Sequence, residues 1–197
     1  MGNLVTFDWN CILSIENGDA NFDSIQLLID AHHSGGIEVG LLATSASENM
    51  RGTKGFPGSY LIFEKRLARL GLSDFPIIPA PGVIGLTFIG HSYWCDEETY
   101  ENLSNSLWDV IAPRQKNFVE EWVVVKDRAP TDDEFQSSEF AKYRNAWCDV
   151  HSAYCHVAEE RDYFITSNTK DFPPDGAALS QLGLLALTPE MAVARLL

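Results

Sequence analysis

Oxygen-bearing side chains follow three strand-like apolar runs of this sequence, at residues 4–7, 37–43 and 163–166. In chain order they are Asp8 and Asn10; Thr44, Ser45, Ser47 and Glu48; and Ser167, Asn168 and Asp171. Because open parallel sheets place ligands beyond the carboxyl ends of their strands, we expect these groups to share one edge of a sheet. Asp149, at the expected start of the helix before the third strand, can project to the same edge.

Carboxylates gathered in one cleft repel one another, so that a proton or a cation must neutralise part of their charge. Oxygen ligands without nitrogen or sulfur favour Mg²⁺ or Mn²⁺. Such a cation lowers the pKa of a bound water and neutralises charge that develops on a phosphodiester. Each residue alone also has a structural explanation: Asp8 and Asp149 as helix caps, Glu48 as a first-turn acid, and Asn168 as a turn residue.

The elements that must position these groups alternate along the chain. Helices are expected at about 10–17, 22–33 and 60–70, around the strands at 4–7 and 37–43. This order implies parallel strands joined by helical crossovers. The later elements expected are helices at 96–111, 131–145 and 149–160, strands at 163–166 and 184–187, and a last helix from Thr188-Pro189. Residues 121–125 fit either a strand or a buried helix end.

Composition limits the class of protein. The 197 residues suit one domain, and an apolar fraction of 45% argues against global disorder. The net charge of −14 repels nucleic acid unless basic residues cluster locally. No apolar stretch approaches the roughly 20 residues that span a bilayer. No basic segment followed by an apolar one opens the chain, so we expect a cytoplasmic protein whose four cysteines are free thiols.

Three segments of the chain resemble the PIN-domain nucleases. Residues 4–13 (LVTFDWNCIL) resemble the opening strand of that family with its Asp-x-Asn element. Residues 149–168 resemble its late helix and strand, and residues 184–190 resemble its terminal strand and helix start. The resemblance implies a single PIN-like domain over residues 1–197: a three-layer α/β/α fold with a central, mainly parallel sheet. Residues 72–144 have no counterpart and are expected to be an insertion or an enlarged helical middle region.

The family's functional residues transfer to matching positions of this chain. Asp8, Glu48 and Asp149 would be ligands of Mg²⁺ or Mn²⁺ and catalytic residues. Asn10 would support the site by hydrogen bonding, and Thr166 would orient the neighbouring loop. The implied activity is that of an endoribonuclease that hydrolyses RNA phosphodiester bonds through a metal-activated water.

Asn168 stands where the family usually has a further catalytic aspartate. A carboxamide coordinates through oxygen but removes one charge, and Asp171 compensates if the loop bends suitably. This departure leaves open a second hypothesis, in which a catalytically degenerate PIN-like domain binds RNA or protein. The expected partner is RNA, with a protein inhibitor or a second copy of the chain as open alternatives, and no membrane.

A basic, glycine-rich segment directly after Glu48 is the predicted substrate-binding surface. Its basic residues are Arg51, Lys54, Lys65, Arg66 and Arg69. Between Asn49 and Ser73 the only acid is Glu64, which suits contact with a phosphate backbone. A solvated helix face explains the same pattern equally well.

Two weaker alternatives concern other chemistry. Cys148, His151, Cys155 and His156 are zinc-ligand types, but their spacing is not that of a zinc finger or ribbon, and a buried helix face explains them. The sequence Asp8-Trp9-Asn10 faintly resembles phosphatases of the haloacid dehalogenase type. Those need a second aspartate where Asn10 stands.

Overall fold

The computed structural model describes residues 2–47, 60–82, 92–94 and 96–197. Its strands are β1 (Asn3–Phe7), β2 (Ile37–Leu42), β3 (Ile77–Ile78), β4 (Ala80–Pro81), β5 (Ser92–Tyr93), β6 (Tyr163–Ile165) and β7 (Ala186–Leu187). Five of them form a parallel sheet in the order β3-β2-β1-β6-β7, and β4 and β5 pair separately. The strands β2 and β3 therefore lie on one side of β1, and the later strands β6 and β7 lie on its other side.

Helices make up most of the remaining described chain. They are α1 (Trp9–Asn17), α2 (Phe22–His33), α3 (Tyr60–Arg69), α4 (Glu97–Ile111), α5 (Phe118–Lys126), α6 (Asp132–Phe135), α7 (Ala141–Ala158), α8 (Ala177–Gln181) and α9 (Pro189–Leu196). A 3₁₀ turn over Ala43–Ser47 follows β2. Among the described helices none is long and apolar enough to cross a membrane.

The sheet has a hydrophobic cluster on each face because successive side chains of a strand point in opposite directions. In β1, Val5 and Phe7 are buried in a cluster with residues of α1, α2, α3 and α9. Phe164 of β6 lies in the second cluster, with residues of α4, α7 and α8. Thr6 faces the second side as well, where its hydroxyl is 2.9 Å from Nδ1 of His156. The α/β class is confirmed, and the arrangement is consistent with three α/β/α layers.

Several boundaries follow local rules that the sequence contains. Gly18 ends α1 in the left-handed conformation, at φ 59°, where a side chain would cost energy. The capping box between Thr131 and Glu134 begins α6. Thr188 caps α9 through Met191 N, with proline in the first turn. The predicted starts and ends near these residues are confirmed.

Two predictions need correction. Residues 121–125 form the end of helix α5, so the strand alternative was wrong and the helix alternative is confirmed; Trp122 is buried there, but Val124 and Val125 are 81% and 79% exposed. The capping box starts a helix of one turn only, after which α7 runs without interruption through Asp149. Burial of side chains such as Val150 and Ala153 stabilises this helix more than the modest local propensity of Asn, Cys and Asp weakens it.

The middle region, 72–144, is mainly helical in its described part. Its helix α4 packs against α7, and Leu107, Trp108 and Ile111 of α4 join the second cluster. Arg144 on α7 donates hydrogen bonds to the carbonyl oxygens of Phe135 and Ser137 and so holds the bend between α6 and α7. This region therefore forms part of the core on one face of the sheet.

Candidate active site at the centre of the sheet

Asp8 lies at the carboxyl end of β1 and is only 4% exposed. Its Oδ1 accepts a 2.8 Å hydrogen bond from the backbone N–H of Trp9 as the cap of α1. Its Oδ2 accepts hydrogen bonds from Asn10 Nδ2 at 2.5 Å and from the Thr166 hydroxyl at 2.7 Å. Burial raises the pKa of Asp8, and these three hydrogen bonds oppose that rise. The carboxylate is thus held in one orientation.

Asn10 and Thr166 join the ends of two adjacent strands. Phe7 pairs with Ile165, so that the residues that follow each strand meet at one edge of the sheet. Asn10 Nδ2 donates to the Thr166 hydroxyl oxygen at 2.8 Å, and Asn10 Oδ1 accepts from Ser167 N at 2.9 Å. The Asp-x-Asn element and the threonine after β6 therefore form one polar network.

Asp149 projects from the middle of α7, not from its start. Three residues further along this helix, the Ser152 hydroxyl lies 3.0 Å from the hydroxyl of Thr44 in the turn after β2. The half-buried carboxyl of Asp149 has its pKa raised to about 8, first by burial and then by the negative charges of Asp8 and Asp171. Asp149 and Asp8 are therefore within electrostatic reach of each other, although they are 141 positions apart.

The loop after β6 brings Asp171 to the same place. Asn168 Nδ2 donates to Asp171 Oδ2 at 3.0 Å, and the loop closes with a backbone hydrogen bond from Phe172 N to Asn168 O, also at 3.0 Å. Lys170 Nζ lies 3.6 Å from Asp171 Oδ1. Asn168 thus orients the carboxylate of Asp171, which lines the same cleft as Asp149.

A cleft of about 1030 Å³ opens above this loop and α7. Its lining includes the two acids Asp149 and Asp171, together with Asn168. The remaining polar lining residues are Arg114, Gln115, Lys142, Asn145 and Lys170. Apart from Lys170 on the loop of β6, these come from the segment after α4 and from the start of α7. Sequence reasoning did not single them out, although Arg114 and Lys116 are the only lysine or arginine residues between Arg69 and Lys126.

The predicted basic surface has a different placement in its described part. Arg66 is buried and forms a bidentate ion pair with Glu16 of α1, and its guanidinium lies 4.3 Å from the ring centroid of Trp9. Arg69 pairs with the same carboxylate at 2.7 Å. Lys65 is exposed on α3. None of these three residues lines the cleft, because Glu16 draws both arginines onto α1.

Three residues predicted for the site lie outside the described part of the chain. They are Glu48, Arg51 and Lys54. The 3₁₀ turn of residues 43–47 ends directly before Glu48 and packs against α7.

The histidines and cysteines of α7 are part of the core. Nε2 of His151 is 2.7 Å from the Tyr100 hydroxyl, and Nδ1 is 2.8 Å from the carbonyl oxygen of Trp147. Burial lowers the pKa of His151 to about 4. Cys148 and Cys155 are buried free thiols. These contacts agree with the buried-face explanation of the residues that suggested zinc.

The donor set at the cleft suits a hard cation in its chemistry. Asp149 and Asp171 present carboxylate oxygens to the cleft, whereas Asp8 does not line it, although Asp8 Oδ1 retains a lone pair beyond its one hydrogen bond. Within the described ranges, however, no three His, Cys, Asp or Glu side chains are grouped closely enough to hold a metal ion. The described carboxylates therefore do not form a complete ligand set by themselves, and the predicted ligand Glu48 lies outside the described residues.

No protein-family model, curated protein or solved structure matches this chain. The chemistry of the site must therefore be inferred from its own geometry and charges.

Proposed function

We propose that this protein is a Mg²⁺- or Mn²⁺-dependent ribonuclease with a PIN-like fold, which hydrolyses RNA phosphodiester bonds. The observation that carries the proposal is a cleft that is lined by both carboxylates and basic side chains. Asp149 and Asp171 supply the first, and Arg114 and Lys142 supply the second. Acids that bind a cation beside bases that bind phosphates are what the cleavage of a phosphodiester requires.

The position of the cleft in the sheet supports an active site. In open α/β sheets, ligands bind where the strand order reverses, outside the carboxyl ends of the strands. Here the order reverses between β1 and β6, which are followed by Asp8 and Thr166. Hydrogen bonds between these two strand ends give the site the rigid support that precise chemistry needs.

The same placement supports the resemblance to PIN-domain nucleases. Asp8 and Asn10 follow the central strand, and Thr166 and Asn168 follow its neighbour in the order that the family pattern requires. Asp149 differs from the expected pattern because it lies within a long helix. The negative charge of Asp8 nevertheless contributes, after burial, to the raised pKa of Asp149, which is consistent with two carboxyls that share a site.

The residues of the chain would perform distinct tasks. Asp8, Asp149 and Glu48 would hold the cation, with Asp171 as a further carboxylate beside them. Asn10 and Thr166 hold Asp8 in place, and Asn168 holds Asp171. When bound, the cation would lower the pKa of a water molecule and neutralise charge on the phosphodiester. Because the pKa of Asp149 is about 8, cation binding near neutral pH would be accompanied by release of a proton.

A second candidate is a catalytically degenerate domain that binds RNA without cutting it. The specific observation in its favour is Asp8, which is 4% exposed and already accepts three hydrogen bonds. Such a carboxylate is also well explained as a structural link between α1 and the loop after β6. In this case the basic side chains of the cleft, Arg114 and Lys142, bind RNA, and the carboxylates do not support its cleavage.

A cleavage assay with purified protein separates the two candidates. We expect cleavage of a labelled single-stranded RNA in Mn²⁺, its loss in EDTA, and its loss in Asp149→Asn. Asp175→Asn is the matched control, because Asp175 is exposed on the same loop and does not line the cleft. Cleavage that persists at wild-type rate in Asp149→Asn, or that is absent from the wild type in both cations, overturns the ribonuclease proposal.

A further inference from the structure

The basic side chains of the cleft come from segments that are distant in sequence. Arg114 lies in the turn that follows α4, Lys142 lies in the first turn of α7, and Lys170 lies in the loop after β6. Since no local pattern requires them to meet, their convergence on one cleft is a property of the tertiary structure. Two of the three belong to the middle region of the chain, 72–144.

Arg114 and Lys142 differ from most other described cations in having no acidic partner. Both are exposed, and the described residues provide neither of them with an ion pair. Five described cations outside the cleft are paired with acids: Arg66 and Arg69 with Glu16, Lys116 with Asp109, Arg128 with Glu134, and Arg161 with Glu38. The exposed Lys65 and Arg195 also have no ion pair among the described residues, but they do not line the cleft. In a chain of net charge −14, two unpaired cations at one cleft mark a place that suits an anionic ligand.

The other polar groups of the cleft indicate what kind of anion fits. Gln115 and Asn145 stand beside the two cations, and their amides can both donate and accept hydrogen bonds. A ligand that alternates phosphates with hydroxyl and base groups would use both kinds of side chain. The volume of about 1030 Å³ is at the upper end of pockets for small ligands, so it suits a short stretch of flexible single strand.

We propose that Arg114 and Lys142 bind backbone phosphates of a single-stranded RNA, next to the phosphate that lies at Asp149 and Asp171. This inference rests on the proposed function for the identity of the ligand. It assigns substrate binding to the middle region of the chain and away from the arginines of α3. Lys170 contributes less, because it is 3.6 Å from Asp171.

Binding can be measured separately from cleavage. The probe is a fluorescein-labelled oligoribonucleotide of about eight nucleotides, and anisotropy is recorded in EDTA over about 50–200 mM salt. Because one phosphate contact to a single strand contributes a slope of about 0.7 in log K against log salt, we expect Arg114→Ala and Lys142→Ala each to reduce the slope by about 0.7. Each should also weaken binding about five- to tenfold at 50 mM salt.

Arg195→Ala is the matched control, since it removes one exposed positive charge from α9 on the opposite face of the sheet. We expect it to leave the slope unchanged, and we expect duplex RNA of the same sequence to compete poorly. Equal slopes for Arg114→Ala, Lys142→Ala and Arg195→Ala overturn the inference, as does equal competition by the duplex or a wild-type protein that does not bind. A wild type that binds through Arg114 and Lys142 but cleaves in neither cation supports this inference and contradicts the ribonuclease proposal.

Discussion

The hydroxyl of Thr166 donates a 2.7 Å hydrogen bond to Oδ2 of Asp8, although the two residues are separated by 158 positions. The same hydroxyl oxygen accepts hydrogen bonds from Asn10 Nδ2 at 2.8 Å and from Asn168 N at 3.0 Å. One buried side chain therefore connects the end of β1, the start of α1 and the loop that carries Asp171. Removal of this hydroxyl should affect both stability and the site.

Thr166→Val tests this connection, because valine has the same shape and lacks the hydroxyl. We expect a loss of about 1–3 kcal/mol in the free energy of unfolding, since a buried carboxylate oxygen and two donors lose a partner. Cleavage should fall with it, and Thr166→Ser should restore both. Thr169→Val, at an exposed position of the same loop, is the control, and urea denaturation is the measurement. Equal stability of Thr166→Val and the wild type would contradict this role.

Asp149→Asn should stabilise the protein in alkaline solution. The pKa of Asp149 is about 8 in the folded state against 3.8 for an ordinary exposed aspartate, so the folded state binds more protons than the unfolded state between these values. Ionisation of Asp149 is less favourable in the folded state, so its contribution lowers the free energy of unfolding as pH rises from about 4 to about 8. Above about pH 8 this loss of stability is complete and stays constant. The loss corresponds to at least about 1 kcal/mol, since one pKa unit is worth about 1.4 kcal/mol.

The measurement is urea denaturation of the wild type and Asp149→Asn at about pH 5 and about pH 9. We expect the variant to be the more stable protein at the higher pH, with a smaller difference at the lower pH. The same substitution should abolish cleavage, which is the trade-off between stability and activity expected of a functional carboxylate. A variant that is less stable than the wild type at both values would show that Asp149 stabilises the fold.

Asn168→Ala should weaken cation binding without preventing folding. The side chain of Asn168 holds Asp171 through a 3.0 Å hydrogen bond, and loss of such an orienting contact typically costs about 10–100-fold in metal affinity. Thermal unfolding with increasing Mn²⁺ measures this, because a ligand at 100 times its Kd stabilises by about 2.7 kcal/mol. Asn102→Ala on the exposed surface of α4 is the control. No rise of Tm in wild-type protein would argue against a cation site altogether.

Arg66→Ala distinguishes a structural residue from a substrate-binding one. Arg66 is 9% exposed and Glu16 is 14% exposed, so breaking their pair should cost about 3 kcal/mol of stability. We expect RNA affinity per folded molecule to stay unchanged, in contrast to Arg114→Ala. Lys65→Ala, at an exposed neighbouring position, should change stability by less than about 0.5 kcal/mol. A large loss of RNA affinity in Arg66→Ala would indicate that α3 is part of the RNA-binding surface.

The sequence by itself determined the elements that depend on short-range rules. Alternation and apolar runs located β1 and β2, and glycine marked the end of α1 at Gly18. It also placed Asp8, Asn10 and Thr166 at strand ends, because parallel strands bring the residues that follow them to one edge of the sheet. The end of a strand is a local property, and helical crossovers favour parallel strands, so the placement of these three residues at one edge could be predicted.

The tertiary structure decided the rest of the site. Asp149 lies within a continuous α7 because burial on both sides of the helix outweighs weak local propensity. Asp171 reaches the site only through the fold of its loop, Arg66 is drawn to Glu16, and Arg114 joins the cleft from the end of α4. These placements depend on contacts between residues far apart in the chain. Their energies are set by burial and charge in the folded state, which no local pattern records.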